Sequence, residues 1–508
     1  MRRLRTTAVA SLTVVALMVG VSSVAAQTSP AAAVHAGAIP TLAGVPLWTA
    51  TIGSNVEFSS PSYGTINGVP VVAAASLDGR VYLFNAITGS VMPGWVGGKE
   101  AVVYSGGAPT AVDSSPTFAY FDGPSNPPSI VVGLGSQSVK DQNGGVIAWN
   151  ADGSVRFVFH TKHTFNQWRG ETGAYDNSVF ATPAVGHIQG NGQEDVVFGA
   201  FDHYIYALGP TGKLLPGFPI QRADTIWSSA ALVDTGTGRD DIVMGGDATG
   251  FHPPGAPPCY GGWVTNYQYS PALHGPKLLW ERCIGQSVWS SPAIGVINST
   301  KRLAVVVGTS FNAAYHSNAT DELFAFYLSN GAGVKGWPVK TVGPSFGSPV
   351  IAKVTKRGSP EVISSSCAGC THGPAEVEAW TGGGRRIWAT AVSSKYEMMA
   401  SPAVANVTGS GPQDVLIGDT SGVYVLNGST GRLAASGQFA DGCRLFNTPA
   451  VFRVAGLSSH SGWELVLSCT KGGVAYLEAF VLNHAPDQTP SWPEWRQNST
   501  HTGYAGKS

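Results

Sequence analysis

Charge is scarce in this chain. Asp, Glu, Lys and Arg make up 12% of 508 residues, where an ordinary globular protein carries about a quarter. Lys and Arg total 30 against 31 Asp and Glu. No basic stripe gathers them, which excludes the electrostatic footprint of a nucleic-acid binder. Beyond the first residues, no apolar run is long enough to span a bilayer. Familiar catalytic signatures are missing as well: no Gly-x-Ser-x-Gly elbow, no phosphate loop and no His-x-x-x-His pair. Low hydrophobicity is also absent, since hydrophobic residues reach 43% and aromatics 10%, and this excludes disorder.

Glycine is abundant, at 65 residues, with 33 prolines. Together with the apolar content, they imply many tight turns between buried strands. Residues 1–26 read as a secretion signal: Arg2, Arg3 and Arg5, an apolar run from Ala8 to Val21, then Val24-Ala25-Ala26 before Gln27. The protein is therefore expected outside the cell, with no membrane span once the signal is removed. Residues 27–44 are small and alanine-rich and read as a flexible leader.

From residue 45 to residue 508 one phrase recurs, Ser-Ser-Pro or a close variant. Its copies are Ser59-Ser60-Pro61, Ser114-Ser115-Pro116, Ala181-Thr182-Pro183, Ser228-Ser229-Ala230, Ser290-Ser291-Pro292, Gly347-Ser348-Pro349, Ala400-Ser401-Pro402 and Asn447-Thr448-Pro449. The spacing, roughly 55 residues, marks a repeat architecture. In the third copy the proline opens strand A, where a missing N–H costs nothing. Strand B follows at Val196–Ala200, strand C at Tyr204–Leu208, and strand D ends near Ile220. Four short strands joined by glycine-marked turns make one propeller blade. A D-like strand, Pro46–Ile52, precedes the first copy with no A, B or C before it. Pairing it with the last blade removes two open sheet edges. The chain is read as all-β: an eight-bladed β-propeller of four-stranded antiparallel blades, closed by pairing of N- and C-terminal strands.

The turn after strand A resembles FG-GAP or VCBS repeats. The strand C turns, as in Asn85-Ala86-Ile87-Thr88-Gly89, resemble PQQ-like (quinoprotein-type) repeats. The closing run Trp495 to Gly503 is similar to tails of such secreted propellers. The FG-GAP resemblance implies calcium between strands A and B. Such a site needs six to eight oxygen ligands, yet the alternating acids of these loops are mostly Gly, Thr, Ser or Gln. Asp234, Asp240 and Asp241 form the strongest calcium candidate; the other reading is a glycine-rich turn whose Asp caps backbone N–H groups. No cofactor is predicted. The quinoprotein resemblance implies a bound quinone, but that family's adjacent cysteines are missing.

Six cysteines in an exported chain imply disulfides. In a propeller the B–C and D–A loops share one face. This pairs Cys259 with Cys283, Cys367 with Cys370 and Cys443 with Cys469, all locally. A redox Cys-x-x-Cys at 367 and 370 would need a βαβ context that is absent.

One large residue precedes most A strands: Phe58, Phe180, Trp227, Trp289, Phe346, Met399 and Phe446, with Asp113 as the exception. These residues either form a ligand-stacking ring at the channel mouth or pack neighbouring blades together. Long irregular loops lie on the same face. One, from His160 to Asn177, holds His163, Trp168, Arg169 and Glu171; this mixture suits a polar ligand such as a glycan. The expected function is non-catalytic: a secreted, monomeric propeller binding a cell-surface or wall glycan or another exported protein. His163, Trp168, Arg169, Glu171, Trp227 and Trp289 are the candidate contacts. The alternative is a polysaccharide lyase or hydrolase, or a quinone-dependent oxidoreductase, on the same scaffold.

Overall fold

A computed structural model describes residues 45–506 apart from 140–142, 162–176, 223, 248–258, 260, 311–320, 368–373, 394–399, 410, 421, 437–438, 440–441, 455–461 and 483–487. Its strands form eight four-stranded antiparallel sheets. Seven sheets take four consecutive strands each. The eighth takes Ala450–Arg453, Trp463–Lys471 and Val474–Val481 from the end of the chain and Trp48–Thr51 from its beginning. Trp48 lies opposite Ala479 and Thr51 opposite Tyr476. The N-terminal strand therefore closes the ring as its outermost member, and the fold is the eight-bladed propeller expected.

Within a blade the outermost strand is the most exposed, as in the second and fourth blades. The innermost strands, such as Ala184–Gly186 and Ala403–Ala405, are wholly buried, whereas an outer strand such as Val155–His160 is half exposed. Small residues dominate the inner positions because eight strands converge on one axis. In the third blade the strands are Ala184–Gly186, Asp195–Gly199, Tyr204–Leu208 and Ile220–Gln221. Leu208 makes an extra bridge to Leu214, so the outer edge begins earlier than the formal strand.

In the sixth and seventh blades the acid closing the A–B turn has a structural use. Asp414 accepts the N–H groups of Val407 and Thr408, at 3.0 Å each, and Glu361 accepts those of Val354 and Thr355. These caps satisfy turn donors that the strand ladder leaves over. Among the described residues no helix is long and apolar enough to cross a membrane.

Candidate functional site

The channel is built in layers, each drawn from one position of the repeat. The first layer is the lead-in to strand A. It lies against the end of strand B in the preceding blade, and glycine there makes the approach possible. A Cβ on Gly199 would meet Ile226 at 2.2 Å, and one on Gly245 would meet Val288 at 2.6 Å. Ile226 and Val288 directly precede Trp227 and Trp289. Strand B glycine thus sets how far inward Trp227 and Trp289 are carried.

The second layer explains the repeated hydroxyl. The backbone N–H of Ser60 donates to the Ser115 hydroxyl at 2.9 Å, and that of Ser115 to Thr182 at 3.0 Å. Thr182 donates to Ser229, Ser229 to Ser291, Ser291 to Ser348 and Ser348 to Ser401, at 2.7–2.9 Å. The Thr448 hydroxyl donates to the Ser401 carbonyl at 3.1 Å, and the Thr448 N–H returns to Ser60 at 3.0 Å. All eight blades are stitched into one closed circle. The preceding serine works within its own blade: Ser290 and Gly308 exchange two 2.8 Å hydrogen bonds across strands A and B.

The third layer is the C-terminal tail, which closes the far side of the channel. It passes beneath the inner strands and accepts one N–H from each blade. The carbonyls of Trp492, Pro493, Ser499, Thr500, Thr502 and Gly503 accept from Val404, Val451, Phe118, Val185, Leu232 and Ile294. The Glu494 carboxyl accepts from Tyr63 at 3.1 Å. These seven donors all stand two residues after the repeat proline or its Ala230 equivalent. The sixth blade differs: Lys353, further along its strand, donates to the Ser491 hydroxyl at 3.3 Å.

Polar side chains of the tail are buried with the backbone. Arg496 is 1% exposed and donates to the carbonyls of Ala230 and Pro292. Burial lowers its guanidinium to about 9. His501 sits between the carbonyls of Pro116 and Trp495, at 2.9 and 2.8 Å. Burial outweighs those two acceptors and lowers its pKa to about 4, so the ring is neutral. Glu494 is pushed up to about 8 by burial, against the Tyr63 N–H that favours its ionised form.

Above the tail the opposite end of the channel is a cavity of about 70 Å³. Trp495 is its floor, with its indole N–H on the Thr182 hydroxyl at 3.1 Å. Its wall is a run of touching rings. Centroid distances are 6.3 Å from Phe446 to Phe58, 5.1 Å from Phe58 to Phe180 and 5.1 Å from Phe180 to Trp227. Trp227 stacks on Trp289 at 4.5 Å, and Trp289 meets Phe346 at 5.0 Å. Phe58 reaches Phe180 directly, past the second blade, because that blade contributes Asp113 in place of an aromatic.

Asp113 lines the cavity and is 2% exposed. Neither carboxyl oxygen has a hydrogen-bond partner. The Ser136 hydroxyl and the Phe58 and Gln137 amides lie nearby and favour the ionised form, without reaching hydrogen-bonding geometry. Burial prevails and raises Asp113 to about 7. Asn447, also 2% exposed, lines the same cavity. Its amide N–H₂ is bonded to the Ser468 carbonyl at 2.9 Å, but its Oδ1 has no partner.

No family model and no curated protein matches this chain. Solved structures do. The V. cholerae biofilm matrix protein Bap1 is similar with a TM-score of 0.56 at 13% identity, covering 88% of this chain and 92% of that one. Saccharomyces cerevisiae Sqt1 gives 0.54 at 12%, covering 87% and 100%. Quinohemoprotein alcohol dehydrogenase from Comamonas testosteroni gives 0.51 at 12%, covering 88% and 77%. Likeness at these identities carries the propeller fold and leaves activity open.

Of the expected contacts, Trp227 and Trp289 stand side by side at the mouth, both half-buried. His163, Trp168, Arg169 and Glu171 lie outside the described residues, as do Met399 and Cys370. Cys259–Cys283 and Cys443–Cys469 are disulfides, as expected. The three acids weighed for calcium are engaged by protein donors. Asp234 accepts the N–H groups of Gly236, Thr237 and Gly238. Asp240 accepts His187 N–H at 2.7 Å, and Asp241 accepts the side-chain amides of Asn266 and Gln268 at 2.8 Å each. Adjacent strand residues point to opposite faces, so Asp240 and Asp241 serve different neighbours. In the sequence Asp113 stands out as the one non-aromatic, polar residue ahead of strand A, whereas Asn447 carries no such mark of its own. The break in the Ser-Ser-Pro pattern at Asn447-Thr448-Pro449 was the available signal.

Proposed function

We propose that this protein is a secreted, non-catalytic binding propeller whose ligand, a cell-surface or wall glycan or another exported protein, engages the aromatic channel mouth and the loops around it. One observation carries the reading. A run of six aromatics in ring contact lines a small cavity, and Asp113 is the single titratable side chain among the described residues lining it. Acid–base chemistry on polysaccharides ordinarily uses two carboxyl groups on either side of the bond. A rigid aromatic surface with few polar groups suits recognition, because little side-chain entropy is lost on contact.

The test presents mature protein to a glycan array and to proteins from culture supernatants, beside the Trp227→Ala/Trp289→Ala double variant. The reading expects saturable capture that the double variant loses. Turnover of a polysaccharide would replace it with a lyase or hydrolase. Visible absorbance of bound quinone in the purified protein would replace it with an oxidoreductase.

A further inference from the structure

The tail's circle of contacts is open at one blade, and we infer that the opening is a second binding site, which takes an extended acidic segment of another polypeptide. On either side of it the tail pairs with an inner strand. Tyr504 bridges Ile294 in the fifth blade, and Trp492 bridges Val404 in the seventh. Both inner residues use their N–H and their carbonyl. Ile294 donates to Gly503 and accepts from Ala505, at 2.8 Å each, and Val404 exchanges hydrogen bonds of 2.7 and 3.2 Å with Trp492. The sixth-blade equivalent is Ile351, two residues after Pro349. It stands opposite Val362 as Ile294 stands opposite Val305. Among the described residues no tail group accepts its N–H or donates to its carbonyl. That N–H faces the tail, because the N–H of Lys353, two residues along the same strand, reaches the Ser491 hydroxyl at 3.3 Å.

A cleft of about 510 Å³ lies at this gap, against about 70 Å³ at the mouth. Ligand pockets ordinarily measure about 300–1,000 Å³. Ile351, Ala352 and Lys353 line it from the sixth blade and Gly295 and Val296 from the fifth, together with tail residues 489–491 and 504–506. Charge then selects the occupant. Lys353 is the single charged side chain among the described residues lining the cleft, and no acid lines it. The Lys353 ammonium reaches the Ser359 carbonyl at 3.4 Å and no carboxylate among the described residues. An open strand edge with one unpaired cation beside it matches a peptide carrying a carboxylate. Strand addition supplies the main-chain hydrogen bonds, and the side chains along it supply specificity. A small anion answers only part of this, since it leaves the Ile351 carbonyl without a donor. The residues after Gly506 bring the wrong charge: Lys507 is a second cation and Ser508 is neutral.

Calorimetric titration of the mature protein with capped pentapeptides of threonine and valine tests this, one glutamate being placed at each position in turn. The inference expects saturable binding for at least one placement, weakened about tenfold or more when that glutamate becomes glutamine. Acetate, and the same peptide methylated at its backbone nitrogens, should not bind. Lys353→Met and Lys353→Gln should each bind the glutamate and glutamine peptides alike, with thermal unfolding showing that the variants are folded. Bound peptide should slow hydrogen exchange at Ile351 and leave Phe118 and Val185, already held by the tail, unchanged. Trp227→Ala/Trp289→Ala should bind the peptide as wild type does, so this site and the mouth stand or fall separately. No binding at any placement, a glutamate preference that survives both Lys353 variants, or protection gained away from the sixth blade would overturn the inference. So would peptide binding that appears only after Lys507 and Ser508 are removed, which would show that the chain itself fills the cleft.

Discussion

The repeated hydroxyl is the smallest unit of this fold with a definable role. Ser229 accepts the Thr182 N–H from the blade before it, while its own N–H reaches Ser291 in the blade after. Ser229→Ala leaves the buried Thr182 N–H without an acceptor. The expected loss is about 1–3 kcal/mol, read as a lower denaturation midpoint with an unchanged denaturant slope. The same change at Ser154, exposed in a turn, should shift the midpoint by less than about 0.5 kcal/mol. The phrase Ser-Ser-Pro is visible as a pattern, and its proline marks the start of the inner strand to within one residue, standing immediately before Ser62, Thr117 and Ala184. The role of its serine is not legible, because the partner is the same residue one repeat away, a distance at which a single sequence shows likeness but not contact.

Among elements, the tail was the least legible. It has no period, and its residues gave no strand pattern. Pro493, Glu494, Arg496 and His501 look like a polar surface segment, yet Arg496 and His501 are almost completely buried. The reason is the geometry of a closed ring. Inner strands have donors facing the axis that no sheet neighbour can take, and an irregular segment turning beneath them supplies acceptors at the required angles. Removing residues 492–508 should therefore lower stability by at least about 3 kcal/mol. It should also speed hydrogen exchange at Val404, Val451, Phe118, Val185, Leu232 and Ile294, whose N–H groups the tail accepts. Unchanged protection at those amides would show that the tail is dispensable to the inner strands. Ring closure by the first strand, by contrast, was legible: Pro46–Ile52 had the composition of an outer strand and no blade of its own.

At the scale of the whole molecule, low charge and deep burial predict an unusual pH response. Burial raises Asp195 to about 6, Asp113 and Glu378 to about 7, and Glu464 and Glu494 to about 8. Each binds a proton in the folded state that the unfolded chain has already released, so each stabilises at low pH and loses that effect as pH rises through its folded value. His501 acts in the other direction: it is lowered to about 4, and its neutral burial costs stability as pH falls below the ordinary histidine value near 6.5. Five groups outweigh one. Stability should decline from mildly acidic conditions toward pH 8, and Glu494→Gln, which keeps an acceptor for Tyr63, should flatten that decline. Melting temperatures across this range check both statements; a maximum near pH 8 would show that these acids are not buried as described.

The mouth above the tail is the feature on which the functional account depends. Its most direct measurement is the affinity of any captured ligand for wild-type protein and for Trp227→Ala/Trp289→Ala, with thermal unfolding confirming that the variant is folded. The account predicts a loss of about a hundredfold or more, as expected when aromatic anchors at the centre of a contact are removed. Full affinity in the folded double variant would place the ligand elsewhere on the propeller.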